Sequence, residues 1–470
     1  MKQLAWLVLA ALLGSGCSVA LNFDECKQDS DCAGRADGGV AFCTSDHLCV
    51  GNVPEERLCT SGSFGAASPS AVMVAGLFRL SGASGDKDTE MAQAAELAMQ
   101  DLAKVSQRPI AMVLCDTAGG QAARSLDKAF RDYHVVGAVG PTTSGDVLSS
   151  VGGEPSAAAV AIADGILVIT PSATSPQVSG LDDHNLIWRT AGSDNLQAGV
   201  LAQLVPAMIA SGTTMRPTVI DTAYVSSAYG SGLDTAFVAA LAQAASLTPI
   251  ATHQFDTGVD PNSVIGELGA DAPDYSLIVA DDDAAALAGS LYQNPPALAL
   301  TQFLFTDGAK GPDLIGAMPN LQVAHRIRGT APATPSGPVF DTFKLEYQNQ
   351  FGSDPATTAF VANTYDAAWA LALAIAGQPP GAAIVGDGMA NAMMRMSTPG
   401  VTVTVGGDFN TGATTLAMGG AIDLAGTSGP LTWDNASGDV TDAPIEVWAI
   451  DTNQSPPTFC TISPPPKTCP

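Results

Sequence analysis

The sequence predicts an α/β protein built on parallel sheets flanked by helices. Short apolar runs rich in Val and Ile alternate with segments of helical length between residues 71 and 306, which is the pattern of βαβ units. Residues 135–176 show it most clearly, because the runs Val135–Val139 and Ile166–Thr170 enclose an Ala-rich segment of helical length. The alternation supplies more strands than one sheet needs, and a chain of 470 residues predicts two or three folded units.

The folded body is expected to begin with a buried strand at Ala71–Phe78. The later predicted strands are 110–114, 135–139, 166–170, 218–224, 250–255, 275–280, 302–306 and 445–451. The spacing of apolar residues predicts helices at 90–105, 121–133, 194–211, 230–245, 263–270, 284–292, 339–351, 359–376 and 389–396. Further β-type segments are expected from Val401 onward.

Residues 1–17 have the pattern of a lipoprotein signal peptide. Lys2 supplies the positive charge, Leu4–Leu13 the apolar stretch, and small residues precede Cys17. The arrangement resembles the lipobox of bacterial lipoproteins, which implies that Cys17 becomes a lipid-modified N-terminus; a plain secretory signal is the alternative. The chain is therefore expected in the cell envelope, lipid-anchored on the periplasmic side of the inner or outer membrane.

Charge and motifs narrow the class of function. The formal charge of −27 argues against nucleic acid as a partner and against electrostatic binding to anionic lipid. The five histidines lie far apart, and the sequence has no H-E-x-x-H, G-x-S-x-G or phosphate-loop motif. We therefore expect no enzyme, no metal site and no cofactor.

The cysteine content predicts disulfides. Eight cysteines follow Cys17, namely Cys26, Cys32, Cys43, Cys49, Cys59, Cys115, Cys460 and Cys469. In an exported protein this even number indicates disulfides, although the pairing stays open. The five between residues 26 and 59 predict a small stapled module, with a zinc site near His47 as the alternative. Cys115 is expected to be buried rather than reactive.

Hydroxyl side chains follow two neighbouring predicted strands. The loop Gly140–Ser144 contains Thr143 and Ser144, and the loop Pro171–Ser175 ends in Ser175. In an open α/β sheet, ligands bind beyond the carboxyl ends of the strands, where helix N-termini offer free N–H groups. The pair of loops predicts a site for a small anion, most simply a carboxylate; the alternative is that these hydroxyls only cap helices.

Seven segments resemble the type I periplasmic binding proteins, in particular the branched-chain amino-acid (Leu/Ile/Val) branch. They are Gly76–Gly82, Val139–Ser144, Ile169–Pro176, Trp188–Thr190, Ala228–Leu233, Tyr365–Ala367 and Gly429–Asp434, in the order of that family. The resemblance covers residues 72–451. It implies a two-lobed Venus-flytrap fold, in which each lobe is a parallel sheet flanked by helices. Three hinge crossovers join the lobes, which close on a ligand.

The resemblance also implies a division of the chain. Lobe 1 is expected to comprise residues 71–191 and 329–400, and lobe 2 residues 192–328 and 401–454. A Cys-rich tether and linker, residues 18–70, would precede them. A Pro-rich tail with two cysteines, residues 455–470, would follow them.

The same resemblance implies roles for individual residues. The ligand carboxylate would be bound by Thr143, Ser144, Ser172, Ala173 and Thr174, and the α-ammonium by Asp307. Tyr229 would line the pocket, or else pack on the surface of a lobe. The sequence departs from the family at Asp281–Asp283, where an aromatic residue is common. Asp281 is therefore a further ligand candidate, for a cationic or polyhydroxylated ligand or a metal; the alternative is that at least two of the three acids are solvated or cap the next helix. Arg79, at the end of the first strand, could reach an anionic ligand but is expected to be a surface residue.

These observations predict a solute-binding lipoprotein. It would capture a small polar ligand, an amino acid or related carboxylate, for an ABC importer in the membrane. The alternative is an envelope ligand sensor or assembly protein with the same fold, in which the Cys-rich segment binds a partner.

Overall fold

A computed structural model describes residues 25–32, 42–51, 53–81, 85–149, 155–211, 218–292, 296–317, 321–379, 381–397, 399–455, 457–463 and 469. The predicted signal peptide and the lipidation site Cys17 lie outside these residues. The chain divides into two compact units, Met1–Pro54 and Glu55–Pro470. Within the described residues, no helix is both long and apolar enough to cross a membrane.

The first unit is a small disulfide-stapled module. Its strands β1 (Phe42–Cys43) and β2 (Cys49–Val50) pair antiparallel. Two disulfides, Cys26–Cys43 and Cys32–Cys49, hold it together, and the cysteines themselves form its small buried cluster. With so little apolar area to bury, a module of this size depends on its covalent staples. These four cysteines are paired with one another, which contradicts the zinc alternative.

The second unit begins with a six-stranded sheet. Its strands are β3 (Cys59–Gly65), β4 (Val72–Phe78), β5 (Ile110–Asp116), β6 (Gly137–Val139), β7 (Leu167–Thr170) and β8 (Ile187–Arg189). Helices α1 (Gly85–Val105), α2 (Ala122–Tyr133), α3 (Ser144–Leu148) and α4 (Ala157–Asp164) connect them. The strand order is β3-β5-β4-β6-β7-β8, parallel throughout except for β3.

The chain then enters the second sheet. Strands β9 (Ile220–Val225), β10 (Ala251–Phe255), β11 (Tyr275–Val279), β12 (Gln302–Phe305) and β13 (Ile327–Pro332) are parallel. They alternate with helices α5 (Asp194–Ser211), α6 (Ala228–Ala245), α7 (Pro261–Asp271), α8 (Ala284–Tyr292), α9 (Pro312–Gly316) and α10 (Leu321–Ala324). Strands β9, β11 and β12 are largely buried, as parallel strands covered by helices are, whereas the edge strand β10 is partly exposed.

Residues 338–440 return to lobe 1, where they pack into the core of the first sheet and form two small sheets of their own, of three strands and of two. They form helices α11 (Pro338–Phe351), α12 (Val361–Ala376), α13 (Gly386–Met396) and α14 (Phe409–Ala417). They also form strands β14 (Val401–Thr404), β15 (Ile422–Ala425), β16 (Pro430–Leu431), β17 (Trp433–Asp434) and β18 (Asp439–Val440). Finally, β19 (Ile445–Asp451) and β20 (Thr458–Ser463) extend the second sheet antiparallel, in the order β10-β9-β11-β12-β13-β19-β20.

The two sheets and their helices are the two lobes, and the structure corrects two of the expected boundaries between them. Residues 401–440 belong to lobe 1, since Val403, Leu424 and Leu431 are buried in the same core as α12. The last crossover therefore lies near residues 441–444 and not at residue 400. The second crossover follows β13, so residues 329–332 remain in lobe 2.

Both ends of the body were also misassigned. The expected linker contains β3, which pairs along β5 and is joined to it by the disulfide Cys59–Cys115; Cys115 is therefore no free thiol. The expected tail contains β20, whose Phe459 packs edge-on against Trp448, and the disulfide Cys460–Cys469 closes it. Because the expected linker and tail are rich in Gly and Pro, the sequence did not predict these two edge strands, each of which carries a disulfide.

Removing the disulfide Cys59–Cys115 is expected to destabilise the body more than removing Cys460–Cys469. The first closes a separation of 56 residues and the second one of nine, so chain entropy predicts losses of about 4 and 2.5 kcal/mol. Urea unfolding of the variants Cys59→Ala/Cys115→Ala and Cys460→Ala/Cys469→Ala measures this. Equal losses, or the reverse order, would contradict the assigned pairing.

Candidate ligand-binding cleft

A solvent-open cavity lies between the lobes, where the carboxyl ends of the strands of the two sheets face each other. It contains about 440 Å³ of free space. Parallel strands place their following loops at one edge of a sheet, so loops distant in sequence meet there. Of the eight predicted ligand residues, seven line this cavity: Thr143, Ser144, Ser172, Thr174, Tyr229, Asp281 and Asp307. The eighth, Ala173, is buried and its carbonyl accepts a hydrogen bond from Arg189.

The lobe 1 wall carries hydroxyl groups after β6 and β7. The Thr143 side chain accepts from the backbone N–H of Asp146 and donates to its carboxylate, so it caps α3 as the alternative reading proposed. The Ser144 hydroxyl accepts from the N–H of Ser175, which ties the two loops together and leaves its own proton available. Ser172 donates to the carbonyl of Thr142.

A glycine sets the position of the first loop. Gly140 has φ +93°, and an added Cβ would lie 2.2 Å from the carbonyl oxygen of Leu77. The backbone after β6 lies directly against β4, and a residue with a side chain would not fit at position 140. The hydroxyl loop is thereby held at a fixed place on the cleft wall.

The lobe 2 wall is built around a buried carboxylate. Asp307 follows β12 and is 5% exposed. Its Oδ1 accepts hydrogen bonds from the Gln197 amide and the Tyr229 hydroxyl, both at 2.9 Å. Burial, together with the negative charge of Asp307, raises the pKa of Tyr229 well above its usual range, so the phenol stays a donor. Tyr229 therefore belongs to the pocket wall and not to the outer surface of the lobe.

A second acid lies beside Asp307. Asp194, at the start of α5, is fully buried, and neither of its carboxylate oxygens has a hydrogen-bond partner of good geometry. Burial first, and the charge of Asp307 second, raise its pKa well above the usual range; the nearby Thr174 hydroxyl and Arg189 act in the opposite direction. Simultaneous ionisation of Asp194 and Asp307 is therefore unfavourable unless a positive group lies close to both carboxylates.

Arg79 is not the surface residue expected from the sequence. Its side chain is 15% exposed and lies against Asp88, which is 1% exposed, with both guanidinium contacts at 3.2 Å. It also reaches across the cleft to lobe 2, 3.9 Å from Asp281 and 3.5 Å from Asp282. These three carboxylates raise the pKa of Arg79 further, against the effect of burial.

Sequence reasoning missed Arg79, Asp88, Thr142 and two apolar residues of the cavity, Met91 and Phe360. The Asp88 carboxylate accepts hydrogen bonds from the backbone and side chain of Arg79 and from the Thr142 hydroxyl. No local sequence motif predicts these contacts. Phe360 precedes α12 with φ +68°, an uncommon conformation for an aromatic residue that cleft residues often adopt. It also borders a larger cavity of about 770 Å³ between the crossovers.

Comparison with known proteins identifies the fold. No protein-family model matches the sequence, and no curated protein matches it. Among solved structures, a leucine-binding protein from Thermotoga maritima is 18% identical with a TM-score of 0.64, covering 84% of this chain and 99% of its own. A Bordetella pertussis periplasmic binding protein type 1 is 16% identical (TM-score 0.63; 83% and 100% covered).

A solute-binding protein of an ABC transporter from R. palustris, in complex with 4-hydroxybenzoate, is 11% identical with a TM-score of 0.65. It covers 83% of this chain and 95% of its own. The chain therefore has the type I periplasmic-binding-protein fold, as predicted. The solved structures that share this fold include binders of an amino acid and of an aromatic acid, so the fold leaves the ligand open.

Replacing Arg79 by Met is expected to lower the free energy of unfolding by about 3 kcal/mol, because the buried Asp88 carboxylate loses its compensating charge. The double variant Arg79→Met/Asp88→Asn should recover part of the loss. Asp282→Asn is the matched control: its side chain is 37% exposed, so its loss should stay below about 1 kcal/mol. Urea unfolding measures all three; a loss for Asp282→Asn as large as that for Arg79→Met would contradict this account.

Proposed function

We propose that this protein is a solute-binding protein that captures an amino acid or a closely related zwitterion in the cleft. The observation that carries the proposal is the chemical difference between the two walls of the cleft. Hydroxyl groups of the β6 and β7 loops face one side of the cavity, and the buried Asp307 faces the other. A zwitterion carries complementary groups at both ends.

The lobe 2 wall favours a cationic group at its end of the ligand. Asp307 is oriented by Gln197 and Tyr229, and a desolvated carboxylate forms strong charge-assisted hydrogen bonds with an ammonium group. An ammonium here would also offset the repulsion between Asp307 and Asp194. A ligand that is only an anion, such as a benzoate, would instead place a second negative charge beside them.

Closure about the crossovers would follow from contacts made by both lobes. A ligand shifts a protein toward the closed state only by the contacts that this state adds. Here the ligand would reach the lobe 1 hydroxyls and Asp307 together only with the cleft closed. Arg79 already bridges the lobes at the rim through Asp281 and Asp282, which favours the same closed arrangement.

The proposed role is delivery of the ligand to an ABC importer. The solved structures with this fold include solute-binding proteins of such transporters, which supports transport over the sensor alternative. The proposal places the chain in the cell envelope, attached by a lipid at Cys17.

Asp307→Asn is expected to weaken amino-acid binding about ten- to hundredfold, the equivalent of a lost charge-assisted hydrogen bond. A thermal-shift screen of the full chain against the amino acids and benzoates identifies the ligand, and calorimetry of the variant gives the loss. Because the change removes the charge beside Asp194, the variant should stay folded. The exposed Asp313→Asn, six residues away, is the matched control and should bind normally.

Two results would contradict this proposal. One is a benzoate that binds more tightly than every amino acid, and the other is an amino acid whose affinity Asp307→Asn leaves unchanged.

Cys17→Ala is expected to move the protein from the membrane fraction to the soluble periplasmic fraction. A single thiol at this position carries the lipid in the proposed anchor, so its loss removes the attachment. Fractionation of cells expressing either form, with metabolic labelling by a fatty-acid analogue, measures this. Labelling that persists in Cys17→Ala would place the anchor elsewhere.

A further inference from the structure

The far end of lobe 2 holds a second cluster of ionisable side chains, away from the cleft. Asp221 is the second residue of β9, His253 lies on the neighbouring edge strand β10, and Asp271 ends α7. The cleft is formed beyond the carboxyl ends of these strands, whereas Asp221 lies near an amino end. The cluster is therefore separate from the proposed ligand site.

Strand pairing and helix packing bring these three residues together. On β9, Asp221 shares a face with Ala223 and Val225, whose side chains join the core under α7, and His253 pairs across the strands with Ala223. The potential ligand atoms of Asp221, His253 and Asp271 all lie within 4.8 Å of one another. Zinc with bonds of about 2 Å holds its donor atoms roughly 3.3 Å apart, a spacing that small side-chain rotations reach.

Asp221 is the observation that points to a ligand. The residue is fully buried, and neither of its carboxylate oxygens has a hydrogen-bond partner. Ser276, its paired neighbour on β11, makes no hydrogen bond of good geometry with it. A buried carboxylate without partners is costly. A bound cation would remove this cost.

His253 already has the orientation that a metal ligand needs. Its Nδ1 lies 3.2 Å from the Glu267 carboxylate, and its Nε2 lies 2.7 Å from Asp271. A carboxylate that holds one ring nitrogen fixes the tautomer and leaves the other nitrogen for the metal. Glu267 thus orients the ring, and Nε2 lies beside the carboxylate of Asp271.

We propose that Asp221, His253 and Asp271 bind a divalent transition-metal ion of the zinc type, with Glu267 orienting His253. One imidazole with two carboxylates is a donor set for zinc-like ions rather than for Ca²⁺ or Mg²⁺, which prefer oxygen ligands alone. The ion joins two strands of lobe 2 to α7. Bound there, the ion would stabilise this end of the lobe and leave the cleft unaltered.

Titration of the chelator-treated full chain with ZnCl₂ tests the site. Calorimetry should show one saturable zinc ion per chain, and zinc should raise the Tm where MgCl₂ and CaCl₂ do not. His253→Gln and Asp221→Asn should each weaken zinc binding at least tenfold. His325→Gln, an exposed histidine of the same lobe, is the matched control and should bind zinc as the parent does.

A stability measurement separates loss of the site from loss of the fold. Without metal, Asp221→Asn should be at least as stable as the parent, because the variant no longer buries a carboxylate without partners. Its Tm should then no longer respond to zinc. No saturable zinc binding by the parent, or zinc binding that survives both variants, would overturn the proposal.

Discussion

Helix α12 is the element on which lobe 1 and the cleft depend. Residues Val361–Ile375 are all buried, as in a helix surrounded on every side. Its polar side chains do not face water but tie distant segments to it. Asn363 exchanges hydrogen bonds with Thr190 at the first crossover. Asp366 accepts four from Thr427 and Ser428.

These contacts explain why residues 401–440 belong to lobe 1. An ionised carboxylate inside a core is stable only when donors surround it, and Asp366 obtains its donors from the segment that precedes β16. Tyr365 similarly donates to Asp101 of α1. The residue just before the helix is Phe360 of the cleft, so the packing of α12 also fixes one wall of the ligand cavity.

The sequence allowed most of the parallel strands and the helices between them to be predicted, because buried strands and helices have distinct apolar periods. It also allowed the cleft loops to be predicted, since the carboxyl ends of parallel strands meet. The edge strands β3 and β20 were missed, because the segments that flank them are rich in Gly, Ser and Pro. Only their pairing with β5 and β19 shows that these segments are strands.

The pairs of charged residues were beyond sequence reasoning for a related reason. Arg79 meets Asp282, 203 residues later, and Asp194 meets Asp307 although several strands and helices of lobe 2 separate them in the chain. Asp221, His253 and Asp271 share no spacing that a motif describes. Such groups become neighbours through strand order and register. Both depend on the complete tertiary structure and cannot be inferred from local sequence.

The two edge strands have a consequence for where the chain can mature. An open sheet edge pairs readily with other chains, and β3 and β20 are edge strands of the two sheets. The disulfides Cys59–Cys115 and Cys460–Cys469 involve these strands, and such bonds form in oxidising compartments. On the proposed export route these bonds form only after translocation, so both edge strands gain their covalent attachment outside the cytosol.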